Sequence, residues 1–422
     1  MSDHPNTAVL TESDRHEILN RILAALNKKF YDPAKLGANW KEAVAKLRPQ
    51  IEQAESTQVF EKKVTELLGE LKRSHLGFFP STAARASSRA ALSATYLQDD
   101  TPYGLRWIFQ DVHAGGAADL AGIKPGHILL RVNGEEIQPP DHPAFNMGQT
   151  SELELSDVDG KTRSARVAVA KPKRKKLHFA EPKLVESRMI GASAAYMKVA
   201  MFPGMVGVEV ANQISRAIEL LGPVRKLVVD LRGNTGGGAA CLRVMSLLTP
   251  DRIPVGFAAE RKWTEEALEN EKESFPRFHH IPANTRFLWL LAIRYAPVAI
   301  MKKPVVLETE GLGRRSFHGK VVLLVNRHTA SAAEMIVAFA KEHRLATIVG
   351  EKTAGRLLSA TSVKVGHGYR LALPTGNYRT WTGWVLEGKP IEPDIEIPFD
   401  WKERARGLDR QLQEAEKVAQ RL

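Results

Sequence analysis

Two stretches of this 422-residue chain bring together groups that could carry acyl or phosphoryl chemistry. The apolar run Leu227–Leu231 ends in Arg232-Gly233-Asn234-Thr235-Gly236-Gly237-Gly238. Glycines at this density let the backbone approach a ligand closely and aim several N–H groups at one point. A phosphate cradle of this kind ends in Lys-Ser or Lys-Thr. Here Ala239-Ala240 follow, so the loop fits an oxyanion hole better, with Gly236 and Gly237 as donors. The second stretch follows the run Val321–Val325 and reads Asn326-Arg327-His328-Thr329-Ala330-Ser331-Ala332-Ala333-Glu334-Met335, opening a predicted helix to about His343. A serine at a strand-to-helix turn exposes its Oγ, and the next N–H, that of Ala332, and the helix dipole both favour negative charge there. Read alone, such a serine is more often a plain helix cap.

The elements that must position these groups are legible as patterns. Leu227–Leu231, Val321–Val325 and Ala346–Val349 are continuous apolar runs, as in strands buried on both faces, and predict an α/β core. Ahead of them, Leu19, Ile22, Leu23 and Leu26 repeat at helical spacing with Ser13 as cap, and Val64, Leu67, Leu68 and Leu71 mark a second amphipathic helix. Small and polar residues from Ser81 to Ser93 read as a linker, and Lys171 to Lys176 as another. Between the linkers, Ala117 to Gly134 predicts a short helix, a glycine stop, a Pro-Gly turn, an apolar strand and an Asn-Gly hairpin.

That last run, above all Gly-Ile-Lys-Pro-Gly-His-Ile-Leu-Leu-Arg-Val-Asn-Gly at 122–134, resembles a PDZ domain. The resemblance implies that Tyr103-Gly104-Leu105 leads a strand pairing with an extended peptide, its turn amides holding a terminal carboxylate. A small β domain that binds nothing is the other reading. Together, the glycine loop and the Ser331 segment resemble the tail-specific (carboxy-terminal-processing) serine peptidases and their tricorn protease relatives. The order of helical segment, PDZ-like module and α/β core, over roughly residues 60 to 400, is similar too.

The two branches of that resemblance imply different bases. The carboxy-terminal-processing branch uses a lysine in a Gly-Lys-Gly segment, and the matching position here is Arg356, in Thr353-Ala354-Gly355-Arg356-Leu357. Arginine stays protonated and cannot serve as a base. Lys352 is close in sequence but four residues early. The tricorn-like branch uses serine, histidine, a second serine and glutamate. By resemblance to it, Ser331 is the nucleophile, His75 the general base, and Glu387 with Ser74 the groups that orient and polarise it. An imidazole suits the task, because its ordinary pKa of about 6.5 leaves it neutral at physiological pH.

The expected architecture is therefore an α+β/α/β multidomain chain. An N-terminal helical region spans 1–90 and a PDZ-like peptide-binding domain 91–172. A ClpP/crotonase-like serine peptidase core covers 180–400 and a C-terminal helix 401–422. The expected function is peptide-bond hydrolysis through an acyl-enzyme, the PDZ-like module binding C-terminal tails. A peptide-binding scaffold without turnover is the alternative, and ester hydrolysis would use the same chemistry. Neither a metal nor a cofactor is called for. A formal net charge of +12 favours acidic partners or anionic membrane surfaces, but no aromatic-studded basic motif accompanies it, which argues against nucleic acid. Cys241 is the single cysteine, so no internal disulfide forms.

The segment Asp251 to Phe317 reads as an insertion, and Phe287–Met301 within it is the most apolar stretch, too short to span a bilayer and interrupted by Arg294 and Pro297. A cap over the cleft, a partner subunit (a homo-oligomer) or a membrane surface met through 285–301 would each suit it. Met1–Asp14 lacks the apolar core of a signal peptide. A cytoplasmic location is expected, or an extracytoplasmic one if the sequence lacks its true start.

Overall fold

The computed structural model describes residues 10–80, 85–171, 181–190 and 194–422. Its first unit is three helices, Glu12–Lys29, Ala38–Glu52 and Thr57–Gly69. Thr11, not Ser13, caps the first: Asp14 N–H donates to Thr11 Oγ1 at 3.2 Å and Thr11 N–H to Asp14 Oδ2 at 2.8 Å. The middle helix is absent from the sequence reading, since its Lys- and Arg-rich run and internal Pro49 blur the apolar period. Ile18, Ile22, Leu26, Phe60, Val64 and Leu67 are fully buried and pack on Val365, Tyr369 and Leu371.

Those last residues belong to a six-stranded sheet running Gly77–Pro80, Tyr369–Thr380, Pro254–Glu260, Val306–Glu308 and Arg277–Phe278, with Leu358–Gly366 also paired to the long strand. Asp251 to Phe317 is thus only in part an insertion. Pro254–Glu260 and Val306–Glu308 are sheet strands, and the excursion lies between them as helices Glu265–Glu271 and Leu288–Met301. The charged and aromatic residues of the excursion masked the two short strands that bracket it.

The second sheet runs Val185–Met189, Ala194–Val199, Lys226–Asp230, Lys320–Val325, Thr347–Gly350 and Ile395–Glu396. All neighbours after the first pair are parallel. Helices Val208–Leu221, Cys241–Leu248 and Ala332–Glu342 bury one face, and Ala415, Val418 and Ala419 of helix Arg410–Arg421 cover Val228, Val322, Leu324 and Val349 on the other. Lys226–Asp230 and Lys320–Val325 are adjacent and in register, Asp230 opposite Leu324, so the loops leaving their carboxyl ends lie side by side. Sites of open α/β sheets form at such carboxyl ends.

A third sheet consists of Ala94–Thr101, Gly104–Val112, Ile128–Val132, Thr150–Ser156 and Thr162–Ala168, with helix Ala117–Leu120. Gly122 and Gly126 hold positive φ, as does the Asn133-Gly134 turn (φ 53° and 84°) that returns Val132 onto Glu135. The expected linker is partly structured: Arg85–Ser87 pairs with Ala144–Asn146, and Leu92 is buried in this module. Residues 81–84 and 172–176 of the two linker readings lie outside the described residues. Trp401 packs onto Leu97, Ile108, Ile128 and Leu130, seating the module on the C-terminal segment. That segment is two helices, Trp401–Ala405 and Arg410–Arg421.

Candidate active site

Ser331 follows the strand Lys320–Val325 and precedes the helix Ala332–Glu342, with φ 55° and ψ −124°. A non-glycine residue at that φ is strained and persists only where its surroundings hold it. They do: Ser331 N–H lies 3.0 Å from Arg356 O and 3.1 Å from Glu334 Oε2. Ser331 is also the N-cap of this helix: Glu334 N–H donates to Ser331 O at 2.8 Å and the Glu334 carboxylate accepts from Ser331 N–H.

Glu334 was not singled out from the sequence. It is fully buried and accepts from Thr353 Oγ1 (2.6 Å), Gly355 N (2.7 Å), Arg356 N (2.9 Å) and Ser331 N. Burial pushes its carboxyl above the ordinary range, while these four donors oppose that shift. Glu334 thus ties the serine turn to the 353–356 segment. An acid in the first turn of a helix reads from sequence only as a capping residue.

The second half of the site hangs on Gly77–Pro80. Its pairing of Gly77 with Ala372 and Phe78 with Leu371 draws the preceding Ser74-His75 turn, with His75 at φ 58°, to the site. Glu387 accepts from Ser74 N at 2.8 Å, Ser74 Oγ at 2.7 Å and Leu357 N at 3.0 Å. Ser74 Oγ lies 2.7 Å from His75 Nδ1. A hydroxyl has one proton. Ser74 gives it to Glu387, so it must accept from Nδ1–H, which leaves the lone pair on Nε2. Burial, then the nearby Arg356 cation, lowers the His75 pKa from its ordinary 6.5, against the raising effect of Glu387.

The two halves meet at consecutive residues. Arg356 O and N hold Ser331 and Glu334, and Leu357 N holds Glu387. Among the described residues no hydrogen bond joins His75 Nε2 to Ser331 Oγ. The Arg356 side chain is exposed, as is that of Lys352.

Of the oxyanion candidates, Gly236 drops out: its N–H donates to Asn234 Oδ1 at 2.8 Å. Gly237 N–H and Ala332 N–H donate to nothing among the described residues. Gly236 packs so tightly on the serine turn that a Cβ would lie 2.6 Å from Ser331 Cβ and 2.7 Å from Ala332 N. Gly237 has φ 134°, and a Cβ there would meet Phe202 O at 1.9 Å. Gly237→Ala should therefore displace the loop and lower turnover at least tenfold with the remaining fold retained, readable by ester hydrolysis beside circular dichroism. Unchanged hydrolysis would remove this loop from the site.

Loop 231–238 is fixed from both sides. Asn326 Oδ1 accepts from Gly233 N at 3.0 Å, and Asn326 Nδ2 donates to both carboxylate oxygens of Asp111 at 3.1 and 3.0 Å. Arg232 pairs with Asp230 at 2.8 Å and with Asp409 at 2.8 Å, holding Asp409 well below the usual carboxylate range. Beside the loop opens a largely apolar cavity of about 1100 Å³, walled by Pro203–Val210, Ala239, Leu288, Leu291, Tyr295 and Ser359.

Tyr103, Gly104 and Leu105 do not form an open carboxylate cradle. They make a hairpin in which Thr101 pairs with Gly104 and Asp100 with Leu105, and their strand lies inside the sheet, between Ala94–Thr101 and Ile128–Val132. A Gly-Leu pair reads the same whether it opens a groove or closes a hairpin, and only the partner strand decides.

Residues 193–397 match the family model for peptidase family S41, and 108–147 that for a PDZ domain. The S41 match thus lies behind the PDZ match in the chain. It is 26% identical over 415 residues to a tricorn protease homolog of Streptomyces coelicolor, covering 89% of this chain and 30% of that protein. It is 32% identical over 105 residues to the carboxy-terminal-processing protease of Bartonella bacilliformis, covering 25% and 24% respectively. The chain thus spans under a third of either relative. Its fold is that of the photosystem II D1 C-terminal processing protease (TM-score 0.56, 18% identity, covering 97% of this chain and 98% of that one) and of mature CPAF complexed with lactacystin (0.58, 14%, 96% and 97%). Within the matched residues, then, Ser331 stands on a strand-to-helix turn, and Glu387, which holds Ser74, is bound to Leu357 next to the Arg356 that holds Ser331.

Proposed function

We propose that this chain is a serine peptidase that cleaves peptide bonds through an acyl-enzyme on Ser331. One observation carries the reading. The strained Ser331 stands at a helix N-terminus, and its turn is bound through Arg356–Leu357 to a Glu387–Ser74–His75 chain whose imidazole keeps a lone pair on Nε2.

In the proposed sequence Ser331 Oγ attacks the scissile carbonyl carbon and its proton passes to His75 Nε2. Ser74 and Glu387 stabilise the imidazolium through Nδ1–H. Gly237 N–H and Ala332 N–H receive the oxyanion. Collapse breaks the C–N bond as His75 protonates the leaving amine, and water, deprotonated by the same imidazole, releases the acid and restores Ser331. Substrates are peptides or protein C-terminal tails, with apolar side chains suited to the cavity beside the loop. Thr162–Ala168, an outer strand of the PDZ sheet beside Ala117–Leu120, is the edge that an extended tail would join. Self-association of the chain belongs to the same proposal.

A fluorophosphonate probe tests the reading, since only an activated serine labels. Labelling at Ser331 supports it; a folded chain that does not label would favour a binding scaffold. The pH profile is a second check. The base must be neutral, so activity rises with pH through the imidazole pKa, with its midpoint below 6.5. Removing the nearby cation with Arg356→Gln should move that midpoint upward, because imidazolium then costs less.

A further inference from the structure

The helix Leu288–Met301 is apolar on both faces. Leu288, Leu291 and Tyr295 turn inward, pack on the core and line the cavity. On the opposite side Trp289, Ile293, Ala296 and Ile300 fall at i, i+4, i+7 and i+11, one stripe, with Leu290 and Met301 beside it. These side chains are exposed, Ile293 at 65% and Ile300 at 81%. A soluble surface helix keeps its outer face polar, so this stripe calls for a cover.

The charges around it say what kind. No Asp or Glu occurs between Glu273 and Glu308, whereas Arg286, Arg294, Lys302 and Lys303 occur at the start, middle and end of the helix. Arg286 and Arg294 lie over the neighbouring Phe287 and Tyr295 rings, 5.5 and 5.8 Å from their centroids. Lys302 has one distant carboxylate, Glu260 at 3.7 Å. A second copy packed on this stripe about a two-fold axis would set cations against cations, with Glu260 beside Lys302 the one carboxylate paired with them among the described residues. An anionic lipid surface instead presents acyl chains to the stripe and phosphates to its rim. The helix is about 21 Å long at 1.5 Å per residue, and no helix among the described residues is long and apolar enough to cross a membrane.

We propose that Leu288–Met301 is an interfacial helix that docks the chain on an anionic membrane surface, with Trp289, Ile293 and Ile300 entering the acyl boundary. The inference is independent of the chemistry at Ser331.

Co-sedimentation with lipid vesicles tests it. The 422-residue chain should bind vesicles containing about a third phosphatidylglycerol at least tenfold more tightly than pure phosphatidylcholine, and less tightly as salt rises. Ile293→Glu, at an exposed position, should keep the circular dichroism spectrum and weaken that binding roughly tenfold or more. Arg294→Glu should weaken binding to the anionic vesicles alone. Failure to bind anionic vesicles, or equal binding by Ile293→Glu and the parent, would overturn the proposal. So would a chain that sediments as a dimer, becomes monomeric on Ile293→Glu and ignores vesicles, since the stripe would then be a subunit contact.

Discussion

Ser331→Ala is expected to abolish labelling by a fluorophosphonate and to cut peptide hydrolysis by roughly 10³- to 10⁶-fold, leaving the fold in place. The size of the loss follows from the proposed covalent step, for which no neighbouring group offers a substitute nucleophile of the same placement. The intact fold follows from what holds the turn. The bonds to Arg356 O and Glu334 Oε2 come from the Ser331 backbone N–H and survive the change. The thermal midpoint should therefore move by only a few degrees. Hydrolysis at the parent rate by the purified variant would remove Ser331 from the chemistry; a collapsed midpoint would mean that the hydroxyl is structural.

His75→Ala should be nearly as damaging, about 10³-fold or more, whereas Lys352→Ala should keep most of the activity. His75 is half-buried, its Nδ1 is held by Ser74 Oγ at 2.7 Å, and its pKa lies below 6.5, all suited to a neutral acceptor near physiological pH. Lys352 is exposed and, among the described residues, makes no hydrogen bond to Ser331, Ser74, His75 or Glu387. Glu387→Gln adds a readout specific to orientation. An amide oxygen can still accept from Ser74, but it does not stabilise the imidazolium as a carboxylate does, so kcat should fall with little change in KM. If Lys352→Ala were the dead variant and His75→Ala the active one, the histidine assignment would be wrong.

The parts of the site that were legible are those the chain writes contiguously. Loop 233–238 and Ser331 with Ala332 each follow an apolar strand, and the parallel pairing of those strands brings the loops together. His75, Ser74 and Glu387 could be named only by resemblance, because the pairing of Gly77–Pro80 with a strand near residue 370 is what delivers them. Glu334 hid behind the ordinary meaning of an acid in a first helical turn. Gly236 was misjudged because composition reports flexible backbone but not that Asn234 captures its N–H. In the fold, the buried parallel strands announced themselves by apolar runs. Pro254–Glu260 and Val306–Glu308 did not, since short strands paired across a long excursion leave no local period.

The contact of Asp111 with Asn326 spans 215 positions and joins the small β module to the loops around Ser331. Asp111 is itself held by Thr95 Oγ1 at 2.5 Å, and Gly233 lies so near that a Cβ would stand 2.9 Å from the Asp111 carboxyl carbon. For protein engineering this makes the module a poor cassette. A replacement cut at its sequence borders would strip Asn326 of its acceptor and leave a hollow beside Gly233, so a transplanted domain must bring its own equivalents of Thr95 and Asp111 to the same place.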